Sequence, residues 1–155
     1  MIAFIHGIVK DLDEESILLD TGGLGYQVYT PIAQFDSLPA VGEELQLYTA
    51  LIVREDLWQL FGFTDKEQLM MFRLLNGVSG VGAKTALAIL NTLSPALVVQ
   101  SIITEHSASF QQVPGIGKKL AQRIVLELKM CIRDSYYLPQ CENRGFTSYL
   151  FTGCG

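Results

Sequence analysis

Residues 78–86 read VSGVGAKTA, and residues 113–121, which lie 35 positions later, read VPGIGKKLA. The two stretches share a valine, two glycines separated by one aliphatic residue, a lysine two residues after the second glycine, and an alanine. An apolar pattern with helical spacing continues after each stretch. Internal repeats reveal the structural unit of a chain. The unit here is predicted to be a glycine turn that opens a helix, with a lysine in the first helical turn.

Such a turn is suited to binding an anion. Glycine adopts positive φ and permits close approach of another molecule, and the first N–H groups of a helix favour negative charge. The aliphatic residue between the glycines is expected to anchor the turn in the core while the amides face outward. One copy would bind one phosphate, and two copies indicate a polyphosphate chain such as DNA. This is the helix-hairpin-helix pattern of sequence-independent DNA binding, although two helix-starting turns without a ligand are the alternative.

The charge of the chain is unevenly distributed. The net formal charge of −5 by itself argues against a nucleic-acid partner. However, residues 1–65 carry two cations and eleven carboxylates, a net charge of −9, whereas residues 66–130 carry seven cations and three carboxylates, a net charge of +4. Such an asymmetry is more informative than the total. The basic half contains both glycine turns and is therefore the expected DNA-binding half.

Length and composition indicate a globular protein of one or two small domains. The chain has 155 residues, of which 49% are hydrophobic. No apolar run approaches the roughly 18 residues that a membrane span needs. The apolar start, residues 1–9, lacks the cationic beginning of a signal peptide and is predicted to be a strand. We expect a cytoplasmic protein without a membrane segment.

Residues 1–63 are predicted to form one domain of short strands separated by turns. Five short strands in this length indicate a small closed barrel, and the oligonucleotide-binding (OB) fold is the commonest barrel of that size. Residues 22–25 (GGLG) form a tight connection. The predicted strands are Ile2–Val9, Ser16–Thr21, Tyr26–Thr30, Glu44–Val53 and Trp58–Phe63.

Residues 64–130 are predicted to form an all-α domain of about five short helices. Residues 64–67 (TDKE) fit a capping box, and apolar residues follow at helical spacing. Ser94-Pro95 marks a second helix start, and a further helix is predicted over Lys118–Met130. The predicted fold is therefore multidomain, with a five-stranded OB-fold barrel followed by an all-α domain that contains two helix-hairpin-helix motifs.

Residues 131–155 follow neither pattern. All three cysteines lie there, spaced by ten and thirteen residues and without a nearby histidine, which makes a poor zinc site. We expect an atypical tail, disordered or foreign to the preceding domain, and neither a metal site nor a cofactor. The cysteines are Cys131, Cys141 and Cys154.

Residues 1–129 closely resemble the RuvA family, the bacterial Holliday-junction-binding subunits of the branch-migration machinery. The resemblance runs in order through the initial Met-Ile, GGLGY at 22–26, VRED at 53–56, LFGF at 60–63 and both glycine turns. Together, these motifs in this order and spacing are highly specific.

The resemblance implies an OB-fold domain that assembles a homotetramer or octamer, and a helical domain that binds DNA backbone and holds a four-way junction open and square-planar. It implies a non-catalytic subunit of an ATP-dependent helicase complex that acts in recombination, DNA repair and the SOS response to DNA damage. The implied DNA-binding residues are Gly80, Val81, Gly82 and Lys84 in the first motif and Gly115, Ile116, Gly117, Lys118, Lys119 and Arg123 in the second.

Glu55 and Asp56, predicted at the tip of the last hairpin, match the acidic pin of the family at the junction centre. Two carboxylates on a hairpin tip would repel a nearby phosphate on electrostatic grounds alone. For an isolated Glu-Asp pair, an ordinary solvated turn is the alternative.

The family also has a third helical domain that docks on the RuvB motor, an AAA+ ATPase. Nothing after Lys129 resembles that domain. We therefore expect the chain to bind junctions but to fail to recruit or regulate the motor.

Other functions fit the residues less well. Residues 77–85 nearly spell a phosphate-binding P-loop, but Ala83 separates Lys84 from the second glycine and a predicted helix precedes the loop instead of a strand. Base-specific recognition is disfavoured because glycine turns and lysines address phosphates. His6 and His106 have no obvious partner and are predicted to be structural, so no catalytic group emerges.

Two further DNA-binding modes are alternatives to junction binding. The barrel could bind single strands by stacking, but its charge of −9 disfavours DNA, and its aromatics are predicted to be core or subunit-contact residues. A generic duplex backbone binder without junction preference stays open. The candidate stacking residues are Tyr26, Tyr29, Tyr48 and Phe61.

Overall fold

The structure is a computed structural model that describes residues 2–31 and 38–134. The chain divides into two compact units, the first comprising Met1–Arg73 and the second beginning at Leu74.

The first unit contains a closed five-stranded barrel with the strand order β1-β2-β3-β5-β4. Neighbouring strands are antiparallel except β3 and β5, which run parallel. The predicted OB-type barrel is thereby confirmed. The strands are β1 (Phe4–Leu12), β2 (Ser16–Asp20), β3 (Gly25–Tyr29), β4 (Glu44–Val53) and β5 (Trp58–Phe63).

The predicted bounds of β1 are wrong at both ends. The strand begins at Phe4 instead of Ile2 and continues to Leu12 instead of ending at Val9. Its far end still pairs with β2, through Leu12 and Ile17, beyond a register irregularity between Val9 and Asp11. The irregularity interrupts the alternation of apolar and polar residues, so the sequence pattern ends before the strand does.

The interior of the barrel is filled by the alternate residues of its strands. Ile5 and Val9 of β1 point inward with Leu47 of β4, and all three are buried. Burying each such side chain stabilises the fold by about 1.5–3 kcal/mol. A Cβ atom added at Gly62 would lie 2.5 Å from Val28 Cγ1. This position in the LFGF motif therefore accommodates only glycine without a shift of the core.

The β2–β3 turn is held by Asp20. Its Oδ1 accepts hydrogen bonds from the backbone N–H groups of Gly22 and Gly23, both at 3.0 Å. These bonds, followed by the Lys10 ammonium at 3.4 Å, lower the pKa of Asp20. The stabilisation is therefore complete at neutral pH and is lost only as acid titration passes through the lowered pKa.

Helix α1 (Lys66–Asn76) begins immediately after the barrel. The predicted capping box at residues 64–67 is displaced by one residue, because Asp65 Oδ1 accepts the N–H of Gln68 at 2.8 Å. Phe72 of α1 packs on Phe61 and Phe63, each with ring centroids 5.0 Å away. The change from strand to helix falls where the sequence predicts it, whereas packing attaches most of α1 to the barrel.

The second unit contains α2 (Ala83–Thr92), α3 (Pro95–Ile103), a 3-10 helix (Ser107–Gln112) and α4 (Lys118–Asp134). The predicted cap of α3 is confirmed, since the Ser94 hydroxyl accepts the N–H of Leu97 at 3.4 Å. Helix α4 is four residues longer than predicted. It includes residues 131–134 of the expected tail, Cys131 among them, so the prediction of an atypical tail is wrong for these four residues. Cys141, Cys154 and the rest of that tail lie outside the described residues.

Within residues 2–31 and 38–134, no single helix is long and apolar enough to cross a membrane. Helices α2 and α3 reach the required length and composition only when they are taken together, and the chain bends by 95° between them.

Candidate nucleic-acid interface

The first glycine turn has the predicted geometry. The N–H of Val81 donates to the carbonyl of Val78 at 3.0 Å and closes the turn. Gly80 has a φ of +89°, in the left-handed region that favours glycine. Val78 and Val81 are both buried. The turn is thus anchored by its aliphatic residues, as the sequence predicts.

The second turn has the same hydrogen bond and the same glycine conformation as the first. The N–H of Ile116 donates to the carbonyl of Val113 at 3.1 Å, and Gly115 has a φ of +86°. Both Val113 and Ile116 are buried. Helix α4 begins at Lys118, which lies 35 residues after the start of α2. The sequence repeat is therefore also a structural repeat.

Both turns present the uncapped start of a helix. Gly82 is the N-cap of α2, has an extended backbone and forms no side-chain capping bond. The first helical hydrogen bond at each site goes to a glycine carbonyl, from Ala86 to Gly82 at 2.9 Å and from Ala121 to Gly117 at 3.0 Å. The N–H groups before them have no acceptor within the helix. These N–H groups and the helix dipole favour an anion at each turn.

Exposed lysines surround the two helix starts. Lys84 lies in the first turn of α2, and Lys118 and Lys119 open α4; all three are exposed. None of them takes part in an ion pair with the described residues, where the pairs are His6–Glu44, Lys10–Asp20 and Lys129–Glu105. Their charge is therefore available to a phosphate.

Arg123 and Glu127 of α4 hold the first glycine turn. Arg123 Nη1 donates to the Ser79 carbonyl at 3.3 Å, and the Ser79 N–H donates to Glu127 Oε2 at 3.1 Å. A Cβ atom added at Gly80 would also lie 3.3 Å from Leu120 Cδ1. The helix that starts at the second turn thus fixes the position of the first. The sequence alone does not reveal the roles of Ser79 and Glu127, because no local pattern links residues 48 positions apart.

This contact predicts a positioning role for Glu127. Replacing Glu127 by alanine removes the acceptor of the Ser79 N–H, whereas replacing it by glutamine removes the same charge but keeps an acceptor. Losing a negative charge alone would strengthen DNA binding. We expect Glu127→Ala to bind duplex DNA about two- to tenfold more weakly than Glu127→Gln, from one net hydrogen bond. Fluorescence anisotropy titrations check this, and equal affinities of the two variants would contradict it.

The acidic pair lies at the tip of the β4–β5 hairpin, as predicted. The Arg54 N–H donates to the Leu57 carbonyl at 2.8 Å and closes the turn that contains Glu55 and Asp56. Both carboxylates are on exposed residues. The hairpin therefore projects two acidic side chains into solvent.

The aromatic residues considered as stacking platforms are engaged within the barrel unit. Phe61 is completely buried and its ring centroid lies 5.6 Å from that of Tyr29. Tyr26 packs against the barrel core, and the Lys66 ammonium lies 5.4 Å from the Tyr48 ring centroid. The interpretation of Phe61 as a core residue is confirmed.

His6 has a neighbour that the sequence does not reveal, and its predicted structural role stays a prediction. Its Nε2 lies 3.7 Å from Glu44 Oε2, on the outer surface of paired strands β1 and β4. In the part of the chain that the structure describes, no group of three or more His, Cys, Asp or Glu residues could hold a metal ion.

The fold and the paired turns define a protein class, an OB-type barrel joined to a tandem helix-hairpin-helix module. Comparison with family models agrees: a RuvA N-terminal domain model matches residues 1–62, and a SAM-like helix-hairpin-helix tandem model matches residues 72–130.

Curated relatives match both the barrel and the helix-hairpin-helix module. A protein of Chloroflexus aurantiacus is 46% identical over 129 residues, covering 83% of this chain and 66% of the relative. A protein of Natranaerobius thermophilus is 42% identical over 134 residues, which cover 86% of this chain and 63% of the relative. A protein of Nitrosomonas europaea is 39% identical over 140 residues, which cover 90% of this chain and 72% of the relative. Each is named Holliday junction branch migration complex subunit RuvA.

This chain belongs to the RuvA family. It spans about two thirds of the length of the curated relatives that it matches.

Proposed function

We propose that this chain is a non-catalytic subunit that binds four-way DNA junctions through their backbones, holds them open and supports branch migration in recombination and DNA repair. The observation that carries the proposal is the pair of glycine turns, each opening a helix whose first N–H groups have no acceptor within the helix, beside exposed lysines. These groups bind phosphates and do not read base edges, so recognition depends on the shape of the DNA.

The proposed DNA contacts are those implied by the resemblance to the family, in two sets. One set is Gly80, Val81, Gly82 and Lys84, and the other is Gly115, Ile116, Gly117, Lys118, Lys119 and Arg123. The backbone N–H groups and lysines would contact phosphate directly. Arg123 would do so with the part of its guanidinium group that does not bond to Ser79, since the group has five N–H donors.

The preference for a junction over plain duplex is supported by the names of the relatives and by the acidic hairpin tip. A duplex backbone binder gains nothing from exposed carboxylates, whereas a junction has a centre where repelling the phosphates helps to separate the strands. The homotetramer or octamer and the cytoplasmic location belong to the same proposal. A RuvB-type motor is the partner that membership of the family implies.

Energy transfer between dyes on two arms of a synthetic junction tests the proposal. In magnesium the free junction stacks its arms in pairs. Saturating protein is expected to move the dyes to the separation of an open, square-planar form. Binding without a change in transfer efficiency would leave a generic backbone binder and would contradict the proposal.

The acidic tip gives a separate prediction. Changing Glu55 and Asp56 to glutamine and asparagine removes two negative charges, so binding should be as tight or a few-fold tighter. The strands at the centre should nevertheless separate less, because the repulsion of phosphate is lost. A 2-aminopurine in the crossover base pair reports separation as a rise in fluorescence.

The matched control changes Glu14 and Glu15 to glutamine. These two residues form an exposed acidic pair elsewhere on the barrel. The control should retain the full fluorescence rise of the unaltered chain. If both double variants gave the same fluorescence rise, the pin assignment would be wrong.

A further inference from the structure

Trp58 is the most exposed large hydrophobic residue in the described part of the chain, with 73% of its surface accessible. It opens β5, directly after the acidic turn, and pairs in register with Val53 of β4, which is 55% exposed. It is also the single tryptophan of the sequence. An exposed aromatic beside an exposed aliphatic makes an apolar surface next to two carboxylates.

This surface continues the inner face of the barrel beyond the point where the barrel closes. Alternate residues of a strand share a face, so Trp58 lies on the same face as Leu60, a member of the barrel core. The pairing of β3 with β5 includes only Leu60 and Phe61. The start of β5 therefore extends past its paired neighbour, which leaves the indole accessible.

The chemistry of the tip selects the occupant of this surface. Arg54, Glu55 and Asp56 together carry a net charge of −1, which disfavours a phosphate. A nucleobase is uncharged and has an apolar π-face that stacks on tryptophan.

On the basis of the proposed function, we infer that Trp58, supported by Val53, stacks on a base that becomes unpaired at the centre of the junction. The carboxylates repel the backbone while the indole holds the released base, so the two features of the hairpin act in the same direction. Stacking of one base on an aromatic residue strengthens binding about tenfold.

Intrinsic fluorescence tests the inference, because all tryptophan emission comes from position 58. Titration of the whole chain with a four-way junction should quench this emission, whereas duplex of equal length, at concentrations that saturate binding in a gel shift, should not. The control is the double variant Trp58→Phe, Phe4→Trp, which moves the tryptophan to another exposed position of the barrel. The surface of Phe4 is 59% accessible. Emission from this variant should show no junction-specific quenching.

Variants separate stacking from other roles. Trp58→Phe keeps a ring and should retain most of the junction affinity, whereas Trp58→Leu keeps only apolar bulk and should lose about tenfold. Junction binding without quenching, or equal affinities of the two variants, would overturn the inference and leave the proposed function intact. A Trp58→Leu change that altered the oligomeric state in sedimentation without DNA would show a subunit contact and would also overturn it. Absence of junction preference in the unaltered chain would remove the proposed function together with this inference.

Discussion

Replacing Lys84 and Lys119 together by alanine is expected to weaken binding of both junction and duplex DNA about 100-fold at low salt. The two lysines lie at equivalent positions of the two repeated turns, and neither has an ion-pair partner among the described residues. A hydrogen bond to a charged group contributes about 1.5–3 kcal/mol, so each lysine accounts for about tenfold or more.

The affinity of the same variant for DNA should depend less on salt concentration. Each phosphate contact releases bound counterions, so the slope of log affinity against log salt should fall by roughly one unit per lysine. Anisotropy titrations at several salt concentrations measure both effects. The affinity should fall on all DNA forms alike, because the lysines contact backbone and not bases.

Lys10 and Lys66 provide the matched control. Both are exposed lysines of the barrel unit, and changing both to alanine removes the same total charge. Lys10 pairs with Asp20 at 3.4 Å and Lys66 lies over Tyr48, so neither belongs to a glycine turn. The control should lose less than about threefold in affinity. An equal loss in the two double variants would refute the assignment of the turns as the binding site.

Changing Gly115 to alanine is expected to destabilise the folded chain by about 1–2 kcal/mol, because its φ of +86° is unfavourable for a residue with a Cβ atom. Gly117 is the control, since its φ lies outside the left-handed region. An added Cβ meets no heavy atom within 4 Å at either position, so crowding does not distinguish them.

Thermal unfolding followed by circular dichroism measures the difference. Gly115→Ala should lower the midpoint by several degrees, while Gly117→Ala should leave it unchanged or raise it slightly. Both variants should weaken DNA binding, because both methyl groups stand where a phosphate would approach the turn. Equal midpoints would contradict the account of the turn as a backbone feature that requires glycine.

Local patterns in the sequence predicted much of this structure. The glycine turns could be predicted because positive φ and helix initiation are properties of a few adjacent residues, and the helix starts lie 35 residues apart as the repeat does. The bounds of β4 and β5 were also correct, since their apolar residues and the intervening polar turn are contiguous. The tip position of Glu55 and Asp56 followed from the same pattern.

Features that depend on tertiary contacts could not be predicted in this way. The register irregularity between Val9 and Asp11 extends β1 through polar residues, because pairing with β2 compensates for the broken alternation. The hydrogen bonds that Ser79 accepts from Arg123 and donates to Glu127 join residues more than 40 positions apart. Trp58 has the sequence context of a core residue, and only the overhang of the hairpin leaves it exposed.

The central claim is that this chain binds four-way junctions in preference to other DNA, and a competition gel shift tests it most directly. The purified 155-residue chain, bound to a labelled four-way junction, would be challenged with unlabelled junction, duplex and single strand of equal length. We predict that unlabelled junction displaces the label at far lower concentration than either competitor. Displacement by junction and duplex at equal concentrations would contradict the claim and identify a generic backbone binder.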